Sequence, residues 1–346
     1  MSARTKMSMT NAFPRSELLS EDFLSKYPDF PLHMNELGLF VFMRTYSRYL
    51  PDKKRRETYK EVCQRASQYN VNLSFEHLKL IGYTPDLDAM KTEAELLFDN
   101  MFNLRQFLSG RTMWIGGTKA SEKTKCGNFN CSFLNITKWE DLGDLFYMLL
   151  VGTGVGFKCT KKMAANIPKI RANTKLLHSE YRPLPMGQRI EDTDFHAFNN
   201  GYAKVFIGDS KEGWVKALRI YFLLLTDPQY SYIHTIKISY NSVRPHGERL
   251  KTFGGQASGP QPLREMFQGI DDVLKNKIDS SLEPIDTDND GYGQIRPIHI
   301  LDIGNLIGNN VVVGGVRRCL PAGSLVHTRN GLIPIEEVKI GEEALT

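Results

Sequence analysis

Apolar residues recur at helical spacing in several stretches of the chain. Leu37–Tyr49 (LGLFVFMRTYSRY) carries apolar and aromatic side chains around most of its circumference, which predicts a buried helix. Thr92–Glu95 (TEAE) reads as a capping box, continued by Leu96, Leu97, Met101, Leu104 and Phe107 as an amphipathic helix. In DSKE, Asp209 and Glu212 can cap a helix that presents Trp214, Leu218, Tyr221, Phe222 and Leu225 on one face. Pro260 and Pro262 open another, along which Leu263, Met266, Phe267, Ile270, Val273 and Leu274 keep helical spacing. Lys53–Arg56 (KKRR) reads as a solvated helix start before Arg56–Tyr69, with a phosphate patch as the alternative. The segment 160–205 lacks periodicity and predicts an insertion or irregular loops.

Glycines cluster in SGRTMWIGGT (109–118) and in GTGVGF (152–157), each beside an apolar run, which predicts an α/β domain whose loops approach a ligand closely. Val311–Arg318 (VVVGGVRR) reads as the end of a buried strand entering a glycine-rich loop. From Cys319 the texture changes again. Ser324–Thr328 and Leu332–Ile335 are short apolar strands around Arg329-Asn330-Gly331, and Asn-Gly is a hairpin-turn signal.

With 346 residues, 41% of them hydrophobic, the chain is large enough for two or three globular domains. A net charge of +5 permits a nucleotide or polyanion but does not by itself argue for nucleic acid, and direct nucleic-acid binding is not expected. No stretch is apolar enough to span a bilayer, and Met1–Pro14 lacks a signal-peptide core. Cysteines 63, 126, 131, 159 and 319 lack the density of a disulfide scaffold, so the expected compartment is the reducing cytoplasm.

The small motifs are weak alone. GTGVGF lacks both the full dinucleotide fingerprint and the Gly-Lys-Ser/Thr ending of a P-loop, so close backbone packing competes with phosphate binding. Asp286, Asp288, Asp290 and Gly291 imitate the start of a calcium loop. Pro297 stands where the bidentate glutamate belongs, so a solvated acidic turn is expected. Cys126 and Cys131 have the wrong spacing for a zinc knuckle, and no metal site is expected; composition reads Cys131 as a buried thiol.

Taken together, VFMRTYSRYLPDKKRRETYKEVCQRASQYN (41–70), NLRQFLSGRTMWIGGT (103–118), NFNCSF (128–133), GDSKEGW (208–214), VRPHGERLKTFGGQASGPQPL (243–263) and NLIGNNVVVGGVRR (305–318) strongly resemble the monomeric class II ribonucleotide reductases, the adenosylcobalamin-dependent ribonucleoside-triphosphate reductases. The resemblance implies the first half of a ten-stranded α/β barrel with a central finger loop. A helical region would span 1–105 and the barrel part 106–318, with a family insertion around 160–245. It also implies radical replacement of the ribose 2′-hydroxyl by hydrogen, with adenosylcobalamin held mostly by the other half of the family's chain. Cys131 falls where the family keeps one of two reducing cysteines, and Asn130 lines the substrate. Gly110, Arg111 and Thr112, with Thr153–Gly156 (Thr153 and Gly154 above all), would approach substrate base and phosphates through backbone amides. Gly314, Gly315, Arg317 and Arg318 correspond to the loop linking effector to substrate. The implied partners are a ribonucleoside triphosphate, a deoxynucleotide effector and a thioredoxin-like reductant.

The family's radical cysteine, its neighbouring glutamate, the second reducing cysteine and the reductant-facing cysteines follow VVVGGVRR and are absent here, so the chain alone is expected to be inactive. A stand-alone nucleotide-binding remnant of a reductase gene, or half of another reductase class, are the alternatives. CLPAGSLVHTRNGLIPIEEVKIGEEAL resembles the amino-terminal block of an intein. That resemblance makes Cys319 the nucleophile that attacks the Arg318 carbonyl to form a thioester. The later histidine block and terminal His-Asn of inteins are absent. The expectation is a split all-β intein (319–346) completed by a partner chain carrying the other intein and reductase halves, with truncation as the alternative.

Overall fold

The computed structural model describes residues 17–248, 256–278, 282–312, 325–328, 331–334 and 337. Two compact units divide between Ser132 and Phe133, each with its own core.

The first unit is mostly helical: α1 (Glu21–Leu24), α2 (Glu36–Thr45), a ribbon of β1 (Tyr49–Leu50) and β2 (Arg55–Arg56), then α3 (Tyr59–Leu80), α4 (Leu87–Phe102), α5 (Gly110–Ile115) and α6 (Lys119–Lys123). Helix α3 starts with a capping box: Glu61 N donates to Thr58 Oγ1 at 3.3 Å and Thr58 N donates to Glu61 Oε2 at 2.8 Å. Val62, Cys63, Ala66 and Phe75 of α3 meet Met90, Ala94, Phe98 and Met101 of α4 in the core. Edge-on rings of Phe42, Tyr59 and Phe102 close it.

Three expectations change in this unit. The KKRR run does not start the helix; it turns into β2, and Lys53 and Arg55 instead bind the Glu61 carboxylate above the first turn of α3. Helix α4 is capped by Asp86, and Thr92 lies inside it, its hydroxyl donating to Asp88 O. The helix ends at Phe102, before Leu104 and Phe107. Helix α2 forms but is not buried: Phe42 alone is enclosed, and Leu37 and Phe40 stay 70% and 60% exposed.

The second unit begins with β3 (Cys131–Asn135), whose first residues belong to the preceding unit. There follow α7 (Trp139–Leu150), β4 (Gly154–Lys158), α8 (Lys161–Asn166), β5 (Ile170–Arg171), β6 (Lys175–His178), β7 (Asp194–Phe198), β8 (Tyr202–Phe206), α9 (Lys211–Thr226), β9 (Thr235–Ser239), α10 (Gln261–Leu274), β10 (Tyr292–Gly293), α11 (Pro297–Val312), β11 (Leu325–Thr328) and β12 (Gly331–Pro334). Strands β6, β9, β8 and β7 form a four-stranded sheet in that order, parallel except for the β7–β8 hairpin. Strands β3 and β4, β5 and β10, and β11 and β12 pair as separate ribbons, and the described residues contain no closed barrel.

The core of this unit gathers α7, α9, α10 and α11 over one face of the sheet. The spaced residues of α9 and α10 are buried as expected except Trp214, which is only partly buried against the core, and Ser210, not Asp209, caps α9 by accepting from Gly213 N at 2.9 Å. Asp209 instead accepts from Arg244 Nε at 2.9 Å. Val311 and Val312 end a helix rather than a strand, because Ile300, Ile303, Ile307 and Val311 bury one helical face. The segment 160–205 is structured: its strands are too short to show a period, and residues 199–201 close the β7–β8 hairpin. The expected tail hairpin forms, with Thr328 opposite Gly331.

Arg171 carries much of this arrangement. The residue is 4% exposed, and its guanidinium donates to the carbonyls of Leu224 (2.5 Å), Tyr230 (3.0 Å), Ser231 (3.0 Å) and Ile233 (2.5 Å). One carbonyl near the end of α9 and three from residues 230–233 thus compensate a buried cation. Arg171→Met would take this donor from the buried Leu224 and Ile233 carbonyls and should lower the unfolding free energy by at least about 2 kcal/mol. Urea unfolding followed by tryptophan fluorescence measures this; an unchanged midpoint would contradict the clamp.

Candidate functional site

Ahead of the cysteine-bearing strand, before α6 and a short 3₁₀ turn, lies a six-residue helix held at both ends. Ser109 caps α5, accepting from Thr112 N at 3.1 Å while its hydroxyl donates to Asn128 O at 3.1 Å. Asn128 ends a short 3₁₀ turn (Lys125–Asn128), and its Nδ2 donates to the Tyr69 hydroxyl of α3 at 3.1 Å. From this anchored turn the chain runs through Phe129 and Asn130 into Cys131, and Asn130 and Cys131 are both exposed.

The other end of α5 is fixed by a buried ion pair. Arg65 meets Glu57 through two bonds of 2.8 and 2.9 Å, and donates to the carbonyls of Gly116 (2.5 Å) and Met113 (3.1 Å). The pair's side chains are only 15% and 6% exposed. Its cost of burial is offset because the fork-shaped guanidinium also satisfies the free carbonyls at the end of α5. Gly116 must lack a side chain there, since a Cβ would lie 2.5 Å from Thr112 O. Burial, with the Arg65 charge second, lowers the Arg48 pKa. Gly110, Arg111 and Thr112 are therefore brought within one hydrogen bond of the turn that leads to Asn130 and Cys131. Of their amides, that of Thr112 is already taken by Ser109.

In the second unit, GTGVGF is not a loop. Thr153 is buried, its amide donating to Met148 O at 3.0 Å, and Gly154 opens strand β4. Burial alternates along β3 and β4, so that Phe133 and Asn135, like Gly154, Gly156 and Lys158, face outward. Ile136 N donates to Lys158 O at 2.9 Å as the two strands end. The bare Gly156 lets the Phe133 ring lie across it, where a Cβ would come to 3.2 Å.

Cys131 is exposed, against its composition-based reading as a buried thiol, because the alternation of β3 turns it outward. Cys63 is the buried thiol, and burial pushes its pKa up to about 12. Gly314, Gly315, Arg317, Arg318 and Cys319 lie outside the described residues. The acidic segment forms a turn in which Asp288 Oδ1 accepts from Tyr292 N at 2.9 Å. No cluster of His, Cys, Asp and Glu fit for a metal occurs among the described residues, and no helix there is long and apolar enough to cross a membrane. Ser109, Asn128 and the Glu57–Arg65 pair were not singled out by sequence. Only Ser109, a capping residue just before Gly-Arg-Thr, left a local signal.

Comparison with known proteins bears on this geometry. Residues 19–118 match the ribonucleotide reductase alpha domain, and residues 184–274 match the insertion domain of B12-dependent ribonucleotide reductase. An adenosylcobalamin-dependent ribonucleoside-triphosphate reductase of Lactobacillus helveticus is 30% identical over 318 residues, covering 83% of this chain and 41% of that protein. One from Lacticaseibacillus paracasei is 31% identical over 83% of this chain and 40% of that protein. A crystal structure of a B12-dependent class II ribonucleotide reductase superposes with a TM-score of 0.68 at 25% identity, over 86% of this chain and 44% of that one. The chain thus spans less than half the length of these relatives.

The thiols should separate chemically. Burial keeps the Cys63 thiol protonated and out of reach of a reagent. Brief treatment of the native chain with iodoacetamide should label Cys131 and spare Cys63 until urea is added, as read by peptide mass mapping. Equal labelling of both would contradict the placement of Cys131.

Proposed function

We propose that this chain, which corresponds to the N-terminal part of an adenosylcobalamin-dependent class II ribonucleotide reductase, supplies one reducing thiol and part of the substrate-binding wall of a ribonucleoside-triphosphate reductase. The observation that carries the reading is the exposed Cys131 at the start of β3, reached from the anchored first turn of α5, in a chain similar on both sides of it to such reductases.

In this reading Cys131 and a cysteine from the remainder of the reductase together give two electrons and two protons. The ribose 2′-hydroxyl leaves as water, a hydrogen replaces it, and the thiols become a disulfide. Asn130 and the first turn of α5 orient the sugar and base. Gly314, Gly315, Arg317 and Arg318 would link the effector to this wall. Bound adenosylcobalamin would supply the initiating radical. A cavity of about 460 Å³ in the first unit is lined by Glu17, Glu61, Gln64, Arg65 and Gln68. That polar lining does not fit a corrin, so this cavity is not its site.

Completion would come by splicing. The motif at Cys319 and the β11–β12 hairpin support an intein start. Cys319 would take the Arg318 acyl group as a thioester and pass it to the first nucleophile of the incoming half, leaving residues 1–318 joined to that half by a peptide bond.

The purified chain alone, given adenosylcobalamin and a dithiol, should form no deoxynucleotide. In the joined enzyme, Cys131→Ser should abolish multiple turnover while nucleotide binding stays within about twofold, since sulfur and oxygen differ little in size. A dead Cys126→Ser beside an active Cys131→Ser would move the assignment. Mixed with a chain bearing the complementary intein and reductase halves, the protein should lose residues 319–346 and gain the partner half by intact mass. Cys319→Ala should prevent this and Cys63→Ala should not; a ligated product from Cys319→Ala would refute the splicing reading.

A further inference from the structure

The register of the four-stranded sheet assembles a surface that no stretch of sequence contains. Across one face, Phe198, Tyr202, Thr235 and Lys175 are direct neighbours in a row. Two residues further along each strand the next row is His196, Lys204, Lys237 and Leu177, followed by Asp194, Phe206 and Ser239. The opposite face, with Ala203, Val205, Ile236 and Ile238, is packed into the core. Alternation therefore turns the lysine and ring face away from that core, with Lys175, His196 and Phe198 exposed, Tyr202, Lys204, Phe206 and Lys237 half-buried, and Ser239 buried.

The face has a definite chemistry. Phe198 is 46% exposed and lies 5.8 Å from the Tyr202 ring. Phe206 is flanked by His196 at 5.8 Å and lies 4.7 Å beneath Lys204 Nζ. Among the described residues no carboxylate pairs with Lys175, Lys204 or Lys237, whereas Lys53, Lys125, Lys216 and Lys275 each hold one. The acid within these rows, Asp194, lies 3.8 Å from His196 at the edge strand. Cations without a carboxylate partner, interleaved with rings, are found where both a phosphate chain and flat bases must be met.

The geometry points to a binding surface for single-stranded nucleic acid on this face, with Lys175, Lys204 and Lys237 contacting phosphates and Phe198 and Tyr202 stacking bases. A sheet about four strands wide presents rings to two or three unstacked bases, as four-stranded RNA-binding sheets do. A duplex keeps its bases stacked and could use only the lysines. An acidic peptide could pair with the lysines but has no bases for the rings to stack on. The mild net charge of the chain does not foretell this, because the lysines meet only through strand register.

The test uses the full chain and a fluorescein-labelled twelve-nucleotide oligothymidylate, followed by anisotropy across a salt series. Binding should weaken with salt with a log–log slope of about −2, three phosphate contacts at about 0.7 each. Lys204→Gln with Lys237→Gln should weaken binding at least tenfold at low salt and flatten the slope by about 1.4. Phe198→Ala should weaken it severalfold with the slope unchanged, and Lys91→Gln on α4 should change nothing. Thr235→Lys, which adds a cation between Lys175 and Tyr202, should tighten binding and steepen the slope by about 0.7, and does not depend on tolerance of the loss variants. Absence of binding, equal affinity for a duplex, a slope indifferent to Lys204 and Lys237, or displacement by a glutamate-rich peptide that binds more tightly would each overturn the proposal.

Discussion

A strand that covers a core with one face must give its other face to whatever lies outside. That constraint on β3 and β4 governs the chemistry proposed for this chain. Leu134, Val155 and Phe157 pack against the second unit's core, so every other position of the two strands points away from it. The outward positions are Cys131, Phe133 and Asn135 on one strand and Gly154, Gly156 and Lys158 on the other. A one-residue slip in β3 would bury the thiol and expose Leu134, which the core forbids.

Alternation places the thiol outward but does not hold the chain that leads to it. Helix α5 has only six residues, too few to persist on its own. It is fixed at one end by Ser109 and at the other by Arg65, whose charge is satisfied by Glu57 and by two carbonyls of the helix end. The half-buried first turn and the exposed cysteine are thus consequences of side chains that themselves touch no substrate in the proposed reaction. Such supports keep a binding wall within the narrow geometry that positioning demands.

Long amphipathic elements were legible in the sequence. The spacing of α10 and the apolar face of α9 are found buried as read, because many residues vote on one period. Short elements were not: β5 to β8 span two to five residues each, and α5 looked like a glycine loop. Helix α2 misled in the other direction, since an apolar circumference reports what could be buried and not what is. The VVV run before Gly314 suggested a strand, while the longer spacing from Ile300 decided for a helix. Of the site, the family-like stretches marked Cys131 and Asn130. The pairing of Arg65 with Glu57 and the rows of the four-stranded sheet depend on contacts between distant residues and leave no local trace.

The most direct measurement is the redox state of Cys131 after a single turnover. The reductase joined from both halves would be reduced, freed of dithiol, and given adenosylcobalamin and one equivalent of ribonucleoside triphosphate. Remaining thiols would then be alkylated and the peptides mapped. The account predicts one disulfide containing Cys131 for each deoxynucleotide formed, with Cys63 and Cys126 still reduced. Deoxynucleotide formed while Cys131 stays a free thiol would contradict it.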